Sequence, residues 1–301
     1  MAHRSVLLHE VIGSLAPKAG RIFVDATFGG GGHSRAFAKL IGKKGRLIAF
    51  DQDASVFTES CIRELQQLTE LTPVVANFRH IGEELKRKKV QSIHGAVFDL
   101  GLSSTQLEES GRGFSFQRDE PLWMTFKEKP GKADVTAEII LNNWSEESIA
   151  AILRGFGEER FYRSIAKKIV AARKVRPFRR TGELVEVIHQ ATPVRYHHGR
   201  TYFATRTFQA LRMAVNDELG AIESGIRGVL PFLAPGGRVA VITFHSVEDR
   251  LVKRLFRTLS KEEHCYAVVT KKPIIPSENE TKENPRARSA KLRVVEKIEH
   301  K

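Results

Sequence analysis

The apolar positions of this chain gather into short continuous runs, several of which end in aspartate, and the stretches between most of them carry helical periodicity. Residues 22–25, 47–51, 74–76, 96–99 and 238–244 are runs of strand length, and Asp25, Asp51 and Asp99 close three of them. Unbroken apolar runs mark strands buried on both faces, and helical patterns between them mark crossovers. The expected fold is therefore α/β: a doubly wound, Rossmann-like parallel sheet with helices on either side.

One interval is too long for a single crossover helix. Residues 109–205 lie between the fourth and fifth runs and read almost wholly as helix. Ser145, with Glu146 and Glu147 behind it, is a predicted N-cap, and Thr181 is a second. Phe161, Ile165 and Ile169, with Tyr162, Ala166 and Val170 beside them, repeat at helical spacing and predict a core stripe. The expected division is one domain from residues 1–108 and 206–301, interrupted by an inserted all-helical domain at 109–205. Past the fifth run, residues 251–259 predict a helix, 266–270 and 292–295 two closing strands, and 273–289 a long loop rich in Pro, Asn, Glu and Ser.

Charge changes the picture. The 301 residues carry 49 Lys and Arg against 35 Asp and Glu, a net charge of +14. Such an excess favours a polyanionic partner, although solubility or a salty cytosol also produces it. Nine basic and no acidic residues fall in 160–180, and Arg160, Arg163, Lys167, Lys168 and Lys174 lie largely off the apolar stripe. The two cysteines, Cys61 and Cys265, make neither a disulfide framework nor a metal cluster. Without an apolar leader or a run long enough to cross a bilayer, a cytoplasmic location away from membranes is expected.

The first run continues into Val24-Asp25-Ala26-Thr27-Phe28-Gly29-Gly30-Gly31-Gly32-His33-Ser34. Glycines let main chain press against a ligand, and the carboxylate ending the second strand, Asp51, can accept hydrogen bonds from both hydroxyls of a ribose. A dinucleotide fingerprint started at Gly29 would need its third glycine where Ser34 stands, with bulky His33 just before it. Asp25, at the tip of the first strand, would repel a pyrophosphate and suit a cation. Ribose, ammonium and sulfonium without phosphate describe S-adenosylmethionine, which this arrangement suits better than NAD.

Four further segments are polar and specific: Phe98-Asp99-Leu100-Gly101-Leu102-Ser103-Ser104-Thr105-Gln106-Leu107, Arg112-Gly113-Phe114-Ser115-Phe116, Ala204-Thr205-Arg206-Thr207-Phe208-Gln209-Ala210-Leu211-Arg212 and Phe244-His245-Ser246-Val247-Glu248-Asp249-Arg250. With these, the chain resembles the bacterial ribosomal RNA small-subunit methyltransferase H family. The likeness runs from His3-Arg4-Ser5-Val6-Leu7-Leu8 through the glycine loop and Gly157-Glu158-Glu159-Arg160 to Asn284-Pro285-Arg286-Ala287-Arg288-Ser289-Ala290-Lys291-Leu292-Arg293. The resemblance implies a class I S-adenosylmethionine-dependent methyltransferase that modifies the exocyclic N4 amine of a cytidine in small-subunit (16S) ribosomal RNA. It places cofactor contacts on Gly31, Gly32, His33, Asp51, Phe78, Asp99 and Gln106, with Phe78 against the adenine. Two departures stand out: Glu120-Pro121-Leu122-Trp123-Met124-Thr125 replaces the family's usual Gly-Pro-Leu-Asp-Met-Arg, and Ser5 stands where proline is usual. No catalytic role is assigned to 120–125.

Asp99 is the expected catalytic residue, orienting the cofactor, the amine, or both. A carboxylate that merely caps the following turn is the plainer alternative. His245, Glu248 and Asp249 have the spacing of neither a hydrolase triad nor a zinc site. With Arg250, Lys253, Arg254 and Arg257 they read as RNA contacts or scaffolding. Basic residues of the inserted domain and of 286–293 are expected to grip phosphates of the rRNA or small subunit. Phe114 and Phe116 read as core before they read as stacking platforms. A non-catalytic RNA-binding or assembly factor on the same fold, and a nucleotide-dependent oxidoreductase, are the competing classes; self-association is written in no pattern here.

Overall fold

The computed structural model describes residues 5–101, 110–199 and 201–299. Its strands are β1 Ile22–Asp25, β2 Arg46–Asp51, β3 Glu70–Val75, β4 Ile93–Asp99, β5 Leu233–Thr243, β6 Tyr266–Val268 and β7 Lys291–Lys297. They form one seven-stranded sheet in the order β3-β2-β1-β4-β5-β7-β6. The pairs among β1 to β5 are parallel, and β7 runs antiparallel to both β5 and β6.

Side chains alternate across a strand, so each apolar run feeds two cores. Val24, Ile48, Phe50, Ala96, Phe98, Val239 and Val241 face one layer, which is covered by helices Ile81–Arg87, Glu218–Val229 and Ser246–Glu262 through Ile81, Leu85, Ile222, Ile226, Val252 and Phe256. Phe23, Leu47, Ala49, Val97, Ala240 and Ile242 face the other, under helices Leu8–Leu15, Gly32–Ile41 and Glu59–Gln66. Each fully buried aliphatic or aromatic side chain contributes about 1.5–3 kcal/mol, which explains why both layers are apolar throughout. The doubly wound expectation holds.

Three elements differ from the sequence pattern. β3 starts at Glu70 because it is an edge strand; only Leu71 and Val74 are buried in it, so no continuous apolar run announces it. Residues 273–289 are not simply loop: Ser277 accepts the Glu280 N–H and starts helix Glu278–Glu283, followed by a 3₁₀ turn at Pro285–Ser289. Thr181 is not an N-cap. It is the first residue of helix Thr181–Ala191 and is fully buried, its hydroxyl accepting the Glu120 N–H and donating to the Arg118 carbonyl.

The chain divides into two compact units, Met1–Gly101 with Leu219–Lys301, and Leu102–Glu218. The first holds the sheet. The described part of the second consists of helices Ala137–Asn143, Glu146–Gly155, Tyr162–Val175, Thr181–Ala191, Val194–His197 and Thr205–Asn216 with their connections. Ser145 does cap Glu146–Gly155, accepting the Ser148 N–H. Ile165, Ala166 and Ile169 enter the core of this unit, with Phe161, Tyr162 and Val170 at its margin. Helix Thr205–Asn216, which carries Arg206 to Arg212, packs in the same core through Phe208, Ala210 and Leu211.

Candidate cofactor and active site

The sheet order reverses between β1 and β4: the chain winds outward from β1 through β2 to β3, then returns to the far side of β1. In parallel α/β sheets the crevice at the carboxyl ends of two such strands is where ligands bind. Register decides what lines it. Asp25 pairs with Ala49 on one side and Val97 on the other. Asp51 and Asp99 therefore each extend two residues past the level of Asp25, flanking the end of β1 on the same face.

That offset separates the three carboxylates. Asp25 is 1% exposed, and its oxygens accept the Thr27 N–H at 3.1 Å and the Ser34 hydroxyl at 2.7 Å. Burial pushes its pKa up, against the pull of His33 and of these hydrogen bonds. Asp25 thus shapes the glycine loop from inside and does not face an incoming cation. Asp51 is half-buried at the rim; its Oδ2 accepts the Gly29 N–H at 2.8 Å and its Oδ1 the Asp53 N–H at 2.9 Å. Burial raises its pKa too, opposed by those two N–H groups. Each oxygen keeps a further acceptor site, so the carboxylate is fixed in place and can still receive donors from a ligand.

On the other side of β1, the Asp99 N–H donates to the Thr27 hydroxyl at 2.7 Å, and the Gly101 N–H approaches Asp99 Oδ1 at 3.3 Å. His33 is buried, with Nε2 3.2 Å from the Val6 carbonyl and Nδ1 3.8 Å from Asp99 Oδ2. A carbonyl only accepts, so Nε2 carries the hydrogen. His33 thereby ties the amino-terminal segment to the loop helix, with the tip of β4 close by. Thr27 was a member of the glycine-loop run but drew no role from it, because nothing local shows that its hydroxyl meets a strand tip 72 positions away.

Glycine is needed at two loop positions by close packing. Gly31 has φ +71°, and a Cβ there would meet the Phe28 ring at 2.9 Å. On Gly32, the first residue of helix Gly32–Ile41, a Cβ would lie 1.9 Å from Ser5 Oγ. Arg35, the cation nearest the loop in sequence, is occupied: it pairs with Glu64 and donates to the Gly30 carbonyl. The crevice thus offers bare main chain and acceptor carboxylates, with no free guanidinium on the loop for a pyrophosphate.

Phe78 follows β3 but packs edge-on against Phe98 of β4, ring centroids 5.7 Å apart, and Gly225 leaves it room. It is half-buried, on the layer opposite the carboxylates. Gln106 lies outside the described residues.

After β5, His245, Glu248 and Asp249 are engaged in capping and ion pairing. His245 Nδ1 accepts the Glu248 N–H and caps helix Ser246–Glu262, while buried Glu248 accepts the Phe244 and His245 N–H groups. His245 Nε2 lies 3.0 Å from Glu248 Oε1, off the line of a hydrogen bond. Asp249 takes two hydrogen bonds from Arg293, at 2.6 and 3.1 Å. Burial opposes ionisation of Asp249, but Arg293 and Lys291 outweigh it and hold the carboxyl below its ordinary range. Arg293, 5% exposed and so paired, is not a free phosphate grip.

In the helical unit Arg160, Arg163, Lys167, Lys168, Lys174, Arg176 and Arg179 are exposed. Arg173 instead turns inward to the Leu141 and Trp144 carbonyls. Phe114 is core, stacked on Phe126, and Phe116 stacks on Tyr202. The 120–125 loop is packed as well: Leu122 and Met124 are fully buried and Glu120 accepts the Gly113 N–H.

Residues 1–298 match the MraW methylase family. The chain belongs to that family. Among its relatives, a ribosomal RNA small subunit methyltransferase H of Brevibacillus brevis is 43% identical over 98% of both chains. One of a Paenibacillus species is 43% identical over 98% of this chain and 99% of its own. An rRNA methylase of Streptococcus thermophilus, a solved structure, matches at 12% identity over 99% of each chain with a TM-score of 0.42. As an MraW methylase family member the chain is an S-adenosylmethionine-dependent methyltransferase. Its crevice fits that cofactor: acceptors for ribose hydroxyls, negative charge for a cationic donor, and no phosphate clamp on the loop.

Proposed function

We propose that this methyltransferase modifies the exocyclic N4 amine of a cytidine in small-subunit ribosomal RNA. The observation that carries the reading is the placement of Asp99 at the carboxyl end of β4, flanking β1, with its main chain held by Thr27. The names of the curated relatives support small-subunit rRNA as the substrate.

When bound, S-adenosylmethionine supplies a methyl group activated by its sulfonium. Asp51 would accept the ribose hydroxyls, and the main chain at Gly31 and Gly32, with His33 behind it, would hold the nucleoside close to β1. The family resemblance adds Phe78, beside the adenine, and Gln106 to this set. Asp99 is the catalytic residue in this reading: its carboxylate accepts a hydrogen bond from the cytosine amine. That amine is a poor nucleophile because its lone pair is delocalised into the ring, so holding its hydrogens favours the rehybridised form. Positioning supplies much of the rate in such reactions. A cytidine stacked in structured RNA is turned out before its amine reaches the donor, and the exposed cations of the helical unit favour the surrounding phosphates.

Purified protein, small ribosomal subunits and labelled S-adenosylmethionine test this. The expected product is N4-methylcytidine in nucleosides digested from the rRNA. Label on another base, or on no RNA, overturns it.

A further inference from the structure

Between helix Ser246–Glu262 and the strands β6 and β7 lies a cavity of about 280 Å³. It is not the crevice at β1. β6 is three positions from β4 in the sheet, roughly 14 Å at about 4.8 Å per strand. Phe256 and Val268 form an apolar wall, and Lys253, Arg257, Thr270 and Lys271 line the rest with Arg293.

The cations are not equivalent. Arg293 is neutralised by Asp249, to which Lys291 also comes within 3.5 Å. Lys253 and Arg257 stand one helical turn apart, on one face, and Lys271 lies across the cavity. None of these three pairs with a carboxylate among the described residues. Arg257 and Lys271 are exposed and Lys253 is half-buried, so the three form a positively charged rim beside the apolar wall, to which an anion is drawn. The volume exceeds what a phosphate group alone fills, and an apolar wall beside the charges suits the sugar or base attached to it.

Given the rRNA methyltransferase reading, on which this inference rests, we propose that the cavity seats a backbone phosphate and adjoining nucleoside of the RNA substrate, away from the cytidine that is methylated. Lys253, Arg257 and Lys271 hold the phosphate, and the Phe256 and Val268 wall meets the nucleoside. RNA is thereby held at a second point along the same sheet.

The test compares the full-length parent with K253Q/R257Q, titrating a labelled single-stranded fragment of small-subunit rRNA at several salt concentrations. RNA affinity is expected to fall about tenfold, and the slope of log K against log salt by about 0.7, the loss of one phosphate on a single strand. Calorimetric binding of S-adenosylhomocysteine should be unchanged. K43Q/K44Q removes two exposed charges before β2, at the opposite end of the sheet, and should leave the slope as in the parent. An unchanged slope in K253Q/R257Q, or an equal loss in K43Q/K44Q, overturns the cavity while leaving the methyltransferase reading intact. Tight binding of cytidine 5′-monophosphate to the parent, lost in K253Q/R257Q without change in RNA affinity, overturns it in favour of a free nucleotide. A parent that methylates no rRNA yet shows the slope change overturns the function reading and supports the cavity as an RNA seat.

Discussion

The main-chain N–H of Asp99 donates to the Thr27 hydroxyl at 2.7 Å, joining the tips of β4 and β1 where the sheet order reverses. Thr27→Val keeps the shape and removes the acceptor, leaving a half-buried N–H without its partner. Stability is expected to drop by about 1 kcal/mol, read as a lower urea midpoint. Thr27→Ser, which restores the hydroxyl, should recover most of it. A midpoint unchanged in Thr27→Val would show that the bond holds nothing in place.

Asp99 itself separates binding from chemistry. Asp99→Asn should depress turnover by at least about tenfold, in the range of a lost acid–base or acceptor group, with little change in calorimetric affinity for S-adenosylmethionine. If cofactor affinity collapses instead, Asp99 serves the cofactor alone.

Asp51→Asn removes the charged acceptor on the other flank of β1. Hydrogen bonds to a charged group contribute about 1.5–3 kcal/mol, so a weakening of cofactor binding by about 30-fold is expected. The parent should also lose affinity on mild acidification. Burial raises the Asp51 pKa, so protonation, and with it the loss of acceptor sites, sets in above the ordinary aspartate range as pH falls. Asp51→Asn should be weak at every pH and lack this acid limb; calorimetry across pH decides.

Gly32→Ala brings a methyl group to 1.9 Å from Ser5 Oγ, so one of them must move. Overpacking of this kind costs typically about 1–3 kcal/mol. Ser5→Gly in the same chain removes the obstruction. Thermal melts of the two single variants and the double variant should reveal a favourable coupling of at least about 0.5 kcal/mol. Strict additivity would mean the contact is not made.

Asp25→Asn tests the buried carboxylate. Its pKa is raised in the fold by burial, so the parent gains stability as pH falls through that raised value toward the unfolded one, and gains no more below it. Asparagine cannot titrate and should lack that gain, giving a flatter stability profile across the same window. Urea unfolding at several pH values measures this; identical profiles would contradict a raised Asp25.

Much of the sheet was legible because parallel strands buried on both faces need continuous apolar runs, and β1, β2, β4 and β5 have them. β3 extends beyond its apolar run because an edge strand needs only Leu71 and Val74 buried. Thr181 looked like a cap because a threonine before an acidic turn usually is one. Its hydroxyl was instead taken by the 118–120 segment, 61 positions from Glu120 in sequence, which local pattern does not encode.

The sequence by itself determined that a glycine loop follows a strand, that aspartates end three strands, that an excess of basic residues is borne by a helical segment, and that all of this matches one family. These follow from local periodicity, turn chemistry and composition. Only the tertiary structure decided which aspartate is which. Pairing register sets Asp25 two residues below Asp51 and Asp99, burying the first in its own loop and leaving the others at the rim. It also paired Arg293 with Asp249 and left Lys253 and Arg257 beside a cavity. Register and long-range pairing arise from contacts between strands distant in sequence, and no window of neighbouring residues contains them.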